Sequence, residues 1–156
     1  MITNALPSIT DRLVLRRFVA GDLAAFKSYR CDPEVGRYQG WSTMDDAGAV
    51  AFIAGMAVAR IGVPGEWLQI AVAEKSTGVL FGDIGIGLDR NRTGVAEIGF
   101  SMAPAAQGRG LGSEAVMAAL ALLFDSATID VVEGITAARY IASIRLLERV
   151  GMRLNR

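Results

Sequence analysis

The chain has 156 residues, 52% of them apolar, and a mean hydropathy of +0.37, enough for one domain with a single substantial core and too apolar for disorder. Its 16 Lys and Arg balance 16 Asp and Glu, so no net field draws it to nucleic acid or to a membrane surface. Histidine is absent, which excludes His triads, His-metal sites and a His general base, and leaves acid–base work to carboxylates, hydroxyls, Tyr, Lys or water.

The single cysteine, Cys31, has no internal disulfide partner, which fits a reducing cytosol, so a cytoplasmic location is expected. The N-terminus has no basic segment followed by an apolar run, so no signal peptide is expected. Uncharged apolar stretches such as 48–59 and 115–124 fall short of the roughly 20 residues of a spanning helix.

Leu13-Val-Leu-Arg-Arg-Phe18 alternates as a first strand, with Leu13 and Leu15 on one face. Gly21-Asp22 introduces a helix with Leu23, Phe26 and Tyr29 inward, and Asp32-Pro33-Glu34 starts another with Asp as N-cap and Pro in the first turn. A loop holding Tyr38 and Trp41 follows, then Ser42-x-x-Asp45 in the manner of a capping box. Behind it Val50, Ile53, Ala54, Ala57, Val58 and Ile61 recur with helical spacing, which predicts one apolar face. Gly62-Val-Pro-Gly65 ends that helix.

Strands are predicted over 67–73, 79–89 and 95–102, joined by short polar turns, and so an antiparallel meander. A helix over 110–125, a strand over 129–136 and a helix over 141–150 follow, the last with Arg145 and Glu148 outward. Gly151-Met152 is read as the start of another strand. The whole is a single domain, 1–156, of α/β (α+β) class: a mixed, mostly antiparallel sheet with helices on both faces.

Chemistry concentrates in 97–112, Glu97-Ile-Gly-Phe-Ser-Met-Ala-Pro-Ala-Ala-Gln-Gly-Arg-Gly-Leu-Gly112. Glycines at 108, 110 and 112 strip side chains from a turn into a helix, whose N–H groups and dipole suit a phosphate or pyrophosphate. A plain strand-to-helix turn would look the same. A dinucleotide fingerprint would find an acid at Asp130, but its glycines should follow the strand at once, and here 103–107 intervenes. The Walker phosphate loop fails because no Gly-Lys-Ser/Thr closes the turn.

Gln107-Gly-Arg-Gly-Leu-Gly112 resembles the Gln/Arg-x-x-Gly-x-Gly/Ala motif of the GNAT superfamily of acetyl-CoA-dependent N-acetyltransferases. Asp11-Arg-Leu-Val-Leu-Arg-Arg-Phe18, Asp32-Pro-Glu-Val35, Ala96-Glu-Ile-Gly-Phe100 and Ser143-Ile-Arg-Leu-Leu-Glu-Arg-Val-Gly-Met152 resemble, in order, landmarks of its Rim-type branch, the ribosomal-protein-alanine N-acetyltransferase-like enzymes. The resemblance spans nearly the whole chain.

It implies that the N–H groups of Gln107, Gly108, Arg109, Gly110, Leu111 and Gly112 hold the pyrophosphate of CoA. It also implies that the fourth predicted strand (95–102) splays from the fifth (129–136). The pantetheine arm then lies in the gap, against backbone from Phe100, Ser101 and Met102. Acetyl-CoA is the expected cosubstrate, with no metal, and an amine is the acceptor. Glu97 is the expected general base, acting through water, with Asp83 and Asp89 as weaker candidates. The tyrosine that many family members use as acid is replaced by Leu147, and the Rim-type pattern implies Ser143 instead; a serine there could equally bond to helix backbone.

Two departures stand out. The usual Asp-x-x-Asn before the last helix is Ala137-Ala-Arg-Tyr140, which leaves Tyr140 to reach the cofactor through its hydroxyl. The chain also stops where relatives continue into a final β-hairpin, so that hairpin is read as truncated or its edge as supplied by a partner chain, and a homodimer completing the sheet edge is expected. Tyr38 and Trp41 are placed on the acceptor pocket. Direct transfer in a ternary complex is the expected reaction; the rival is a CoA-binding or interaction protein that keeps the fold without turnover.

Overall fold

The computed structural model describes residues 5–36, 44–60, 62–126, 128–136 and 141–154. Among these residues six strands form one sheet in chain order: β1 (Ser8–Ile9), β2 (Leu13–Arg16), β3 (Trp67–Glu74), β4 (Leu80–Leu88), β5 (Val95–Met102) and β6 (Val131–Gly134). Neighbours are antiparallel except β5 and β6, which run parallel and are joined by the crossover helix α4 (Leu111–Asp125). The short β1 lies outside the sequence expectation, and it makes the predicted fourth and fifth strands β5 and β6.

Strand alternation divides the side chains between two layers. Leu13, Leu15, Leu68, Ile70, Val72, Ile84, Ile86, Ala96 and Ile98 pack beneath α4 and α5 (Ile141–Arg149). From α4 this core receives Leu111, Ala115, Val116, Ala119 and Leu123, which recur on one helical stripe. On the other face lie α1 (Leu23–Arg30), α2 (Pro33–Gly36) and α3 (Asp46–Val58), with Phe18, Phe26, Tyr29, Val35, Ala49 and Ile53 against Ala71 and Leu80. The expectation of helices on both faces is met.

Local signals explain the helix starts. Asp22 sits nearly buried before α1, accepting from the Val19 N–H at 2.8 Å and from both Nη atoms of Arg16 at 2.8 and 2.9 Å. Asp32 accepts from the Glu34 N–H at 2.8 Å, as the Asp-Pro-Glu signature requires.

Four expectations need correction. The N-cap of α3 is Asp45, which accepts from the Gly48 N–H at 2.7 Å; Ser42 lies outside the described residues. The inward side of α3 carries Ala49, Phe52, Ile53 and Met56, whereas Val50 and Val58 are 52% and 77% exposed and Ala54 is exposed as well; Ile61 is outside the described residues. A helix apolar on every side gives periodicity no phase to report. No strand starts at Gly151-Met152: Gly151 takes φ +96° in a turn whose N–H bonds to Glu148 O, and 152–154 is irregular. The strand expected over 129–136 shortens to Val131–Gly134.

Candidate active site

The parallel ladder between β5 and β6 pairs Val95 with Val131 and ends at Ile98 with Gly134. β5 continues to Met102, paired to β4 through Asp83↔Ser101 and Gly82↔Met102, but beyond Ile98 it has left β6. The predicted splay is therefore present. The space it opens is a groove of about 470 Å³ lined by Phe100, Ser101, Met102, the glycine turn, Ser143 and Arg149.

At the end of the groove the chain passes through a short 3-10 turn (Pro104–Ala106) into Gly108 and Gly110, at φ +75° and +76°. A non-glycine residue would pay roughly 1–2 kcal/mol for that conformation. Gly110 is the N-cap of α4 and offers no side chain to the helix start. Among the described residues, no acceptor takes the backbone N–H of 108–113. Those donors and the helix dipole make an anion site, and its donor set fits a pyrophosphate.

Gln107 departs from its expected part. Its N–H goes to Pro104 O at 3.2 Å and its side-chain amide donates to Met102 O at 3.0 Å, so it ties the turn to the end of β5. Leu111 is buried and fixes the helix from below, and the Arg109 guanidinium lies 5.6 Å from the centre of the Phe81 ring. Ser143, on the first turn of α5, is 7% exposed on the groove wall and makes no side-chain hydrogen bond with the described residues. Tyr140, Ala137, Tyr38 and Trp41 lie outside the described residues.

Glu97 is not in this groove. It projects from the other sheet face into a notch of about 240 Å³ shared with Trp67, Gly87, Asp89, Arg92 and Glu133. The register places it opposite Gly87 on one side and Glu133 on the other. Arg92 is taken by Glu133 at 2.7 and 2.8 Å and by Asp89 at 2.7 and 3.0 Å, leaving Glu97 with no hydrogen-bond or ion-pair partner among the described residues. Partial burial, then the charges of Glu133 and Asp89, push its carboxyl above the ordinary value, against a smaller pull from Arg92.

Glu97 and Ser101 share this face but stand about 13 Å apart along the strand. Between them is Gly99, where a side chain would meet nothing within 4 Å. The strand beside it is covered instead: the Trp67 indole lies over Gly85 and Gly87, at 3.1 and 3.2 Å from where their Cβ atoms would stand.

The weaker carboxylates are occupied. Asp83, opposite Ser101, is fully buried and accepts from Tyr29 Oη and from Gln69 Nε2, the latter at 2.8 Å. Desolvation raises its pKa, opposed by those two donors and by Arg30. Asp89 lies in the turn after β4 and is held below the ordinary value by Arg92 and by the N–H of Asn91. Sequence reasoning missed Trp67, the Arg92 bridge and the Tyr29–Asp83–Gln69 cluster. The parity of Glu97 against Phe100 and Met102 did carry the two-face arrangement.

Comparison with known proteins agrees with this geometry. Residues 12–153 match the acetyltransferase (GNAT) domain family. An uncharacterized N-acetyltransferase, p20, of Bacillus licheniformis is 27% identical over 138 residues, covering 88% of this chain and 77% of that protein. Among solved structures, a GNAT-family acetyltransferase from Bacillus anthracis aligns with a TM-score of 0.79 at 23% identity, over 93% of this chain and 82% of that one. Mycobacterium smegmatis RimJ in complex with CoA-disulfide also aligns at 0.79, with 20% identity over 97% and 78%. The chain belongs to the GNAT acetyltransferase family.

Proposed function

We propose that the protein moves the acetyl group of acetyl-CoA directly to a primary amine, a peptide N-terminus or a small-molecule amine, with both substrates bound together. The observation that carries this reading is the separation of two sites by one strand. The groove with its donor-rich turn borders one side of β5, and an unpaired carboxylate notch opens on the other.

In this reading the N–H groups of 108–112 hold the pyrophosphate, and the backbone of Phe100, Ser101 and Met102 lies along the pantetheine arm. Acetyl-CoA supplies an activated thioester. A β5 N–H pointed at the acetyl oxygen stabilises the negative charge that develops there. An alkylamine is protonated at neutral pH and must lose a proton before it attacks. Glu97 accepts that proton, through water lying over Gly99, because 13 Å is too far for direct contact. Ser143, across the groove, passes a proton to the departing sulfur and takes one from the attacking nitrogen as the intermediate collapses. No cysteine or histidine stands in either site, which favours direct transfer over an acyl-enzyme.

The outer edge of β6 has no strand beside it among the described residues, and Val131, Ile135 and Leu154 are exposed near it. We propose that a second copy of the chain covers this edge in a cytosolic homodimer; light scattering that found only monomer at micromolar concentration would contradict it.

The enzymatic reading is tested by thiol release from acetyl-CoA over a panel of N-terminal peptides, polyamines and aminoglycosides, with Glu97→Gln beside the wild type. Turnover on at least one amine, lost in the variant, is expected. CoA binding without turnover on any amine would favour the non-catalytic reading, and turnover unaffected by the substitution would remove Glu97 as base.

A further inference from the structure

The turn between β1 and β2 holds the glycine turn from behind. Glu114, on the first turn of α4, accepts from Thr10 Oγ1 at 2.5 Å, from the Arg12 N–H at 2.9 Å and from Arg12 Nε at 2.8 Å. Arg12 Nη1 donates to Arg109 O at 2.8 Å, and another Arg12 nitrogen lies 3.4 Å from where a Gly110 Cβ would stand. One guanidinium thus joins the first strand pair, the helix start and the peptide between Arg109 and Gly110.

Two consequences follow from elementary chemistry. A trans peptide directs its C=O and N–H to opposite sides, so fixing Arg109 O toward Arg12 turns the Gly110 N–H away from Arg12, and Gly110 lines the groove. A carboxylate in the first turn of α4 is also an anion beside donors meant for an anion. Burial alone would raise the Glu114 carboxyl, yet the donors from Thr10 and Arg12 outweigh it and hold it below the ordinary range, so the group is ionised and needs a counter-charge.

We infer that Arg12 is a positioning residue for the acetyl donor: through Arg109 O and Glu114 it aims the Gly110 N–H into the groove and neutralises the carboxylate nearest the pyrophosphate site. It touches neither substrate. The inference rests on the proposed placement of the CoA pyrophosphate at this turn.

Its effect should depend on whether the donor carries a pyrophosphate. Arg12→Met, Arg12→Lys and the double variant Arg12→Met/Glu114→Gln are compared with wild type by calorimetric titration of CoA. Steady-state kinetics then compare acetyl-CoA with acetyl-pantetheine, a thioester lacking the pyrophosphate. Losing these charge-assisted bonds should weaken CoA about tenfold or more in Arg12→Met. KM for acetyl-CoA should rise by a similar factor while kcat stays within about twofold, and kcat/KM for acetyl-pantetheine should not change. Lysine keeps the charge but cannot reach Glu114 and Arg109 O with one planar fork, so Arg12→Lys should fall between. Removing the stranded carboxylate in the double variant should restore part of the lost affinity.

Equal losses on both donors would reveal a general structural role and overturn the inference, as would an unchanged CoA affinity. If Arg12→Met does not fold, Arg12→Lys with the two donors makes the same comparison. Wild-type protein that fails to bind CoA would instead refute the placement of the pyrophosphate, and the inference with it.

Discussion

Gly82 and Gly99 lie on adjacent strands, and the same substitution should have opposite outcomes at the two. A Cβ on Gly82 would stand 2.2 Å from Ser101 O, 2.8 Å from Met102 Sδ and 3.0 Å from Met102 Cα. Two of these are backbone atoms, so relief requires β5 to move by about 1 Å to reach ordinary contact. The segment that must move borders the donor groove. Overpacking of this kind costs about 1–3 kcal/mol. For a domain of this size that is a fall in Tm of about 3–10 °C. Gly82→Ala should therefore lower Tm in a thermal scan and also weaken CoA in a calorimetric titration, because Ser101 and Met102 shift. At Gly99 nothing lies within 4 Å of the same atom, and Gly99→Ala should leave both quantities near wild type. Equal Tm and CoA affinity for wild type and Gly82→Ala would refute the packing argument, and loss of CoA affinity in Gly99→Ala would refute the placement of the donor on the groove side.

Two further predictions concern titration. Glu97 must be ionised to accept a proton, and its pKa lies above the ordinary carboxylate value, so the acid limb of kcat/KM should sit correspondingly high. Glu97→Gln should abolish that limb and lower the rate by about a hundredfold or more; a profile unchanged in shape would remove the assignment. Asp83 has a folded pKa raised from 3.8, chiefly by desolvation, so the native state holds its proton more tightly than the unfolded chain. Its contribution to stability is then fully present below the unfolded value and lost as pH rises toward the folded one. The unfolding free energy of Asp83→Asn relative to wild type should accordingly rise from pH 3.8 through that window and level off above it, as read from urea denaturation. A difference independent of pH would contradict the raised value.

Much of this arrangement was written locally. Three apolar runs separated by Gly, Asp and Asn turns can scarcely form anything but the β3–β4–β5 meander, and Leu111, Ala115, Val116, Ala119 and Leu123 place the inward stripe of α4. The phosphate-competent turn is equally local, since Gly108 and Gly110 are required by their own backbone angles. The phase of α3 was not readable, because Val50 and Val58 are as apolar as Phe52 and Ile53 and only the packed sheet selects between them. Nor was the end of β6, which stops where β5 stops pairing with it.

At the site, what escaped was long range. Arg12 reaches Arg109 across 97 positions and Glu114 across 102, and Arg92 reaches Glu133 across 41. An arginine in a strand motif gives no sign of which distant carbonyl it holds. The Asp11-Arg12-Leu13 landmark could be recognised without a physical reason for it; the bond from Arg12 to Arg109 O supplies one. The parity of Glu97 against Phe100 and Met102 places it on the other face of β5, but that Ser143 comes to the groove side depends on how α5 packs, which no local pattern states.

The central claim, that the turn after β5 anchors the CoA pyrophosphate while β5 borders the rest of the molecule, can be read from backbone amides directly. Nitrogen-15 spectra recorded during a CoA titration should show the largest shifts at Gly108, Arg109, Gly110, Leu111 and Gly112, a second group at Phe100–Met102, and little change at Asp89, Arg92 and Glu133. Largest shifts in the Trp67–Glu97 notch, or along the exposed edge of β6 with the glycine amides unmoved, would contradict it.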